Sequence, residues 1–234
     1  GQSPEAEVIR AFVAKHGAGV KDGAFRVGDT ALALKNAAAK GAKIVRPLDE
    51  HEVFVGGSIA AYGDVVHTFI QRKTHTVFAP GYSNVAGGME DGEIQFAMID
   101  HVVANVEHMD EWVDFYHRVF GFDQTAHFDI NTGRSALMSK VVGNEEGYIK
   151  LPINEPSSKN SQIQEFLDEF KGPGVQHIAL LTDNLLWETD FPHPTCLYPE
   201  SQEHLAKVLQ RLEPGVRSRV CQDNAAELYK IPLP

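Results

Sequence analysis

Three short stretches decide the fold: GVKDGAFRV at 19–27, MIDHVVANV at 98–106 and GVQHIALLT at 174–182. Each reads as a strand, and each opens a similar run of text. Set in register, their fourth positions hold Asp22, His101 and His177. A unit that recurs at this spacing is the signature of an internal repeat. After the first stretch, residues 29–40 predict a helix with Asp29 as cap and Gly41 as stop. Strand-like runs follow at 43–46, 53–61 and 65–72, so the order is β-α-β-β-β. After the second stretch the same order returns. Residues 109–119 place Trp112, Phe115, Tyr116 and Val119 on one helical face, with Gly121 beyond the end. Strand-like runs come next at 124–130, 135–142 and 147–153. Residues 4–16 predict a helix after Ser3-Pro4, and residues 162–170 read as the connector before the third strand start. Residues 74–95 are rich in glycine and polar residues and read as a linker.

Two modules related by pseudo-symmetry place equivalent strand positions on facing sides of one cavity. Histidines at such positions converge, as metal ligands must. Imidazole suits iron and zinc, and two histidines with one carboxylate and open positions mark the non-haem Fe(II) oxygenases. His101 and His177 are therefore the candidate ligands. Asp22 holds the same register position in the first copy, where nothing nearby completes a site. His16, His51 and His75 show no such pairing and read as ordinary helix-end or polar-loop residues.

Composition narrows the classes of partner. The 234 residues are 43% hydrophobic and 23% charged, an ordinary globular balance. A net charge of −11 argues against nucleic acid and anionic membrane as main partners. No run approaches the ~18 apolar residues of a membrane span. The first residues show no basic stretch followed by an apolar one, so no signal peptide is expected. Two cysteines, Cys196 and Cys221, make no disulfide framework, and a cytoplasmic location is the simplest expectation.

The combination of IDHVVANV around His101, FYHRVFGF at 115–122, LPINEPSSKNSQIQEFL at 151–167 and GVQHIAL around His177 resembles the 4-hydroxyphenylpyruvate dioxygenases and the closely similar 4-hydroxymandelate synthases. GDVVHTFIQR at 63–72 is similar to the end of that family's N-terminal, non-catalytic domain. The resemblance covers roughly residues 5–183. It implies an α+β fold of repeated βαβββ modules, the vicinal oxygen chelate type, here truncated at both ends. It implies Fe(II) held by His101 and His177. It also implies that Ser139, Asn154, Gln162 and Gln176 line a pocket for an aromatic 2-oxo acid, with O2 as co-substrate. No catalytic side chain is implied beyond the metal site.

The text departs from this family after Asp183. The family's third ligand, a glutamate in an FFE-type strand, has no counterpart in the sequence. Instead WETDFPHP at 187–194 and DNAAELY at 223–229 resemble the C-terminal end of amidohydrolases of the aminocarboxymuconate-semialdehyde decarboxylase type. Residues 201–212 and 215–229 predict helices, and Leu185–Asp190 a possible strand. Glu188 and Asp190 are the carboxylates at hand to replace the missing ligand, although neither sits at the family's position. The expected parts are thus 1–73, part of a non-catalytic module pair; 74–95, a linker; 96–183, part of an iron-binding module pair; and 184–234, an amidohydrolase-like helical tail. Three functional readings follow. The first is a dioxygenase of tyrosine catabolism impaired by the lost glutamate. The second is a 4-hydroxymandelate synthase, and the third an inactive fusion remnant that binds metal. Open sheet edges would also invite association between copies.

Overall fold

The computed structural model describes residues 4–74, 77–79, 82–83, 96–131, 136–182, 185–187 and 200–233. The linker expected at 74–95 falls mostly outside these residues, as do Asp183, Glu188, Asp190 and Cys196.

The chain opens with α1 (Pro4–His16). The first module is β1 (Asp22–Arg26), α2 (Thr30–Ala39), β2 (Ile44–Glu50), β3 (Phe54–Ala60) and β4 (Val66–Arg72). The second is β5 (Phe96–Asn105), α3 (Met109–Phe120), β6 (Asp123–Asn131), β7 (Ala136–Gly143) and β8 (Lys150–Pro156). Then come α4 (Gln162–Phe170) and β9 (Gly174–Thr182), the first strand of a further copy. The sheet orders are β1-β4-β3-β2 and β6-β7-β8-β5-β9. In both modules the first strand lies parallel to the fourth, β1 to β4 and β5 to β8, and the later strands pair antiparallel. The repeat read from three short stretches is thus a repeat of topology.

Local chemistry accounts for the helices. Asp29 caps α2 by accepting the Leu32 amide at 2.9 Å. α3 has no capping side chain of its own; Glu155 of β8 accepts the Met109 amide at 2.7 Å and sets a carboxylate at the helix N-terminus. Gly121 ends α3 with φ 73°, a left-handed turn that glycine enters without steric cost. On α4, Ser161 accepts the Ile163 amide at 3.0 Å.

The two modules share one core. Leu34, Ile59, Tyr62, Val65 and Phe69 of the first pack with Val106, Phe115, Tyr116, Val142 and Ile153 of the second. Within each sheet, alternation sends one set of residues toward the helices and the other to the opposite, concave face. In the first sheet Phe25, Gly57, Ile59, His67 and Phe69 face α2, with Leu34 seated on Gly57. The face opposite holds Asp22, Ser58 and Thr68, which hydrogen-bond one another: Thr68 donates to Asp22 at 2.6 Å and lies 2.7 Å from Ser58. α3 lies against the helix-facing side of both sheets. Its Tyr116 hydroxyl meets His67 Nε2 at 2.7 Å, and its Trp112 packs edge-on against Tyr62.

Two tail expectations need correction. The helix expected at 201–212 ends at Leu209, so α5 is Ser201–Leu209. The helix expected at 215–229 is present as α6 (Pro214–Ser218) and α7 (Asn224–Tyr229), joined without a break through a π turn at Arg219–Asp223. An i→i+5 turn rotates the faces on either side against each other, so one continuous apolar stripe is not formed. Leu185–Trp187 carry no strand; Asn224 donates to the Leu185 carbonyl and the Trp187 amide to the Val220 carbonyl instead. Among the described residues no helix is long and apolar enough to cross a membrane.

Candidate metal centre

β5 and β9 are the first strands of consecutive copies, and they pair antiparallel. The register sets His101 opposite Ala179 and Val103 opposite His177. The two histidines are therefore diagonal neighbours on one face, at a separation where long and aromatic side chains reach each other. Their ring centroids lie 5.6 Å apart with planes at 76°. Two imidazoles bound through nitrogen to one ion at ~2.0–2.1 Å, in adjacent positions, would have centroids about 5 Å apart. The arrangement fits two neighbouring positions on one ion.

Each histidine follows a β-bulge. The pairs Ile99–Leu180 and His101–Ala179 leave Asp100 as an extra residue in β5. The pairs Ala104–Val175 and Val103–His177 leave Gln176 as an extra residue in β9. A bulge re-aims the side chain it carries. Here each bulged residue turns onto the ring of the next. His101 Nδ1 lies 2.7 Å from Asp100 Oδ2, and His177 Nδ1 is hydrogen-bonded to Gln176 Oε1. Both partners are oxygens that accept, so each Nδ1 donates. Each Nε2 then keeps its lone pair, the form a metal needs. The other oxygen of Asp100 accepts from Lys150 Nζ at 2.6 Å. The hydrogen bond from His101, and then the one from Lys150, hold the Asp100 carboxyl below its usual range. Partial burial, and then the neighbouring His101, push the His177 pKa down, which favours the neutral ligand form.

Ser139 and Asn154 face each other across β7 and β8, and Asn154 pairs with Asn105 across β8 and β5. Asn154 Nδ2 donates to Asn105 Oδ1 at 3.1 Å. Two steps of strand alternation put Asn105 on the face of His101, so Ser139, Asn154 and Asn105 share the sheet face of the two histidines. Asn105 was not among the sequence candidates. The signal was present in its place four residues after His101 in an alternating strand; the structure adds that it is 1% exposed. Gln162 opens α4, one residue past the cap, on the helix and not on the sheet face. Asp22 is hydrogen-bonded to Thr68 on the first sheet. Among the described residues no three of His, Cys, Asp and Glu gather as a metal would require. Glu188 and Asp190 lie outside those residues.

A cavity of about 470 Å³ lies between β1 and the second sheet. Phe25, Val65, Val102, Leu151 and Ile178 line it, together with Asp100, His101 and Lys150.

Comparison with known proteins agrees with this architecture. Residues 98–190 match the family Glyoxalase/Bleomycin resistance protein/Dioxygenase superfamily, and residues 167–231 match Amidohydrolase, so the two overlap across β9. A 4-hydroxyphenylpyruvate dioxygenase of Yarrowia lipolytica is 34% identical over 90% of this chain and 60% of its own length. One of Aspergillus fumigatus is 39% identical over 76% of this chain and 48% of its own. The chain thus spans about half to three fifths of these relatives. Among solved structures, a mutant 4-hydroxymandelate synthase from Streptomyces coelicolor superposes with TM-score 0.62 at 23% identity, covering 80% of this chain and 54% of that one. A fusion protein of a xylose isomerase-like TIM barrel with 4-hydroxyphenylpyruvate dioxygenase gives TM-score 0.56 at 27% identity, covering 74% of this chain and 27% of that one. Residues 98–190 thus resemble the Glyoxalase/Bleomycin resistance protein/Dioxygenase superfamily, within a chain similar over most of its length to proteins named 4-hydroxyphenylpyruvate dioxygenase.

Proposed function

We propose that His101 and His177 hold a divalent iron ion through their Nε2 atoms, as the metal half-site of an aromatic 2-oxo acid dioxygenase lineage. The observation that carries this reading is the meeting of the two rings across the first strands of two repeat copies, 5.6 Å apart, with both Nδ1 atoms already engaged. Bound iron in such a site supplies O2 activation and decarboxylation of the 2-oxo acid. The side chains do the rest of the work. Ser139 and Asn154 present a hydroxyl and an amide on the same face, able to orient a carboxylate or a phenol without displacing the imidazoles. Asn105 holds the Asn154 amide in place from below. Gln162 is assigned to the same substrate by the resemblance of SQIQEFL.

The reading extends to the parts of the chain. Residues 1–73 form part of a non-catalytic module pair, 74–95 link it, 96–183 carry the iron half-site, and 184–234 form an amidohydrolase-like tail. The Amidohydrolase match over 167–231 supports a joint between two lineages near the end of β9. Text of amidohydrolase type stands where the dioxygenase lineage keeps its third ligand. Two imidazoles alone hold the ion weakly and leave it poorly oriented. The 234-residue chain therefore binds divalent metal in a manner that needs both histidines, and turns over 4-hydroxyphenylpyruvate negligibly. Titration with Fe(II) under argon, followed by oxygen uptake with 4-hydroxyphenylpyruvate and ascorbate, tests both halves. Metal binding lost in His101→Ala and in His177→Ala, with oxygen uptake no higher than in those variants, is expected. Formation of homogentisate or hydroxymandelate that disappears in His177→Ala would show that a carboxylate of this chain completes the site.

A further inference from the structure

We propose that Asp100 and Gln176 are positioning residues, each turned by its own β-bulge onto Nδ1 of the following histidine so that both Nε2 atoms point at one shared cation. The proposal rests on the reading of His101 and His177 as a metal pair. It goes beyond that reading by naming what aims the rings, and it gives Gln176 a role at His177 beside the substrate role that the resemblance implies.

Two independent bulges occupy the equivalent place in two strands that pair with each other. In regular strands residues i and i+1 point to opposite faces, and neither Asp100 nor Gln176 could reach the ring that follows it. The extra residue removes that restriction at the two positions where a neighbouring ring needs holding. The chemistry of the two partners is the same, an acceptor oxygen on Nδ1. Such outer partners fix both the tautomer and the orientation of a ligating imidazole. Their strengths differ. Asp100 is an anion and draws on the Nδ1 proton, which makes His101 the stronger donor to a cation; Gln176 is neutral and mainly fixes the ring. Lys150 Nζ, 2.6 Å from the second Asp100 oxygen, keeps that carboxylate from rotating toward the ion itself. Lys150 comes from the first residue of β8, so the chain Lys150–Asp100–His101 ties the ligand to the sheet that carries Ser139 and Asn154.

Two measurements on the 234-residue chain test this. The first needs no metal. Long-range ¹H–¹⁵N spectra above pH 8 should show both rings protonated at Nδ1. Asp100→Ala should return the His101 ring alone to the Nε2-protonated form that unrestrained imidazole favours, and Gln176→Ala should do so for His177 alone. The second is Co(II) affinity by calorimetry. Asp100→Ala and Gln176→Ala should each weaken binding roughly 10- to 100-fold, with circular dichroism unchanged. Lys150→Met should weaken it less, and Lys150→Arg should restore it. Gln176→Glu should tighten it, which neither a structural nor a substrate-binding role for Gln176 would produce. If His101→Ala abolishes Co(II) binding while the Asp100 and Gln176 variants keep wild-type affinity and wild-type ring protonation, the metal reading stands and this inference is overturned. If the wild-type chain binds no Co(II), both fall.

Discussion

Lowering the pH should destabilise this protein through one buried side chain, His67. The residue is 4% exposed, sits between Phe25, Tyr62 and Phe120, and makes two hydrogen bonds. Nδ1 donates to the Gly23 carbonyl at 3.2 Å, and Nε2 accepts from the Tyr116 hydroxyl at 2.7 Å. Both contacts suit the neutral ring. Burial pushes the His67 pKa from 6.5 down to about 4, against a small opposing effect of the Gly23 carbonyl. The unfolded chain takes up a proton as the pH falls through 6.5; the folded protein resists until about 4. Stability from this group is thus complete above pH 6.5 and is lost as the pH falls toward 4. At about 1.4 kcal/mol per pH unit, the loss is roughly 1.4 kcal/mol at pH 5.5 and roughly 3 kcal/mol at pH 4. That is a sizeable share of the 5–15 kcal/mol typical of folded domains. Asp64, held down at about 2 by Lys15 and then His16, is shifted in the same direction, and its contribution is lost only below about pH 3.8, outside this window. The assay is urea unfolding at half-unit steps from pH 7.5 to 4, for wild type and for His67→Gln. Glutamine can donate to Gly23 and accept from Tyr116 but cannot titrate. The wild-type loss should exceed that of His67→Gln by roughly 3 kcal/mol at pH 4. Parallel curves for the two proteins across the whole range would refute the reasoning.

Other consequences follow from the same packing. Tyr116→Phe leaves His67 Nε2 buried without its donor and should cost about 1–3 kcal/mol in urea unfolding at pH 7.5. Gly121→Ala forces an alanine into φ 73° at the end of α3 and should cost about 1 kcal/mol, although open space would receive the added methyl. Gly57→Ala should cost about 1–3 kcal/mol because its new methyl would meet Leu34, 5% exposed in the shared core, at 2.4 Å from Cδ1.

Much of the architecture was legible because it repeats. The three first strands could be aligned by their fourth residue, and the pairing of β5 with β9 follows once two copies are recognised. α3 was legible from its single apolar face and Gly121. Ser139, Asn154, His101 and His177 fall on one sheet face, as strand alternation allows once the register is known. The bulges at Asp100 and Gln176 were not legible. A bulge is a property of two paired strands, and nothing in IDH or VQH alone shows that one residue will be left without a partner across the ladder. The role of His67 was hidden for a related reason. GDVVHTF reads as a strand with polar residues at His67 and Thr68, and only the arrival of α3 from the other module turns His67 into a buried acceptor for Tyr116. The helix at 215–229 was legible, but the π turn inside it was not. The π turn at Arg219–Asp223 costs one extra residue that periodicity over so short a segment does not register.

The central claim is that one cation bridges the first strands of two repeat copies. Anomalous diffraction from crystals of the chain grown with Co(II) tests it directly. The account predicts a single strong peak about 2.0–2.2 Å from Nε2 of both His101 and His177, with Nδ1 of each ring still on Asp100 and Gln176. A peak bound to only one of the two rings, or at Asp22 of the first module, would contradict it.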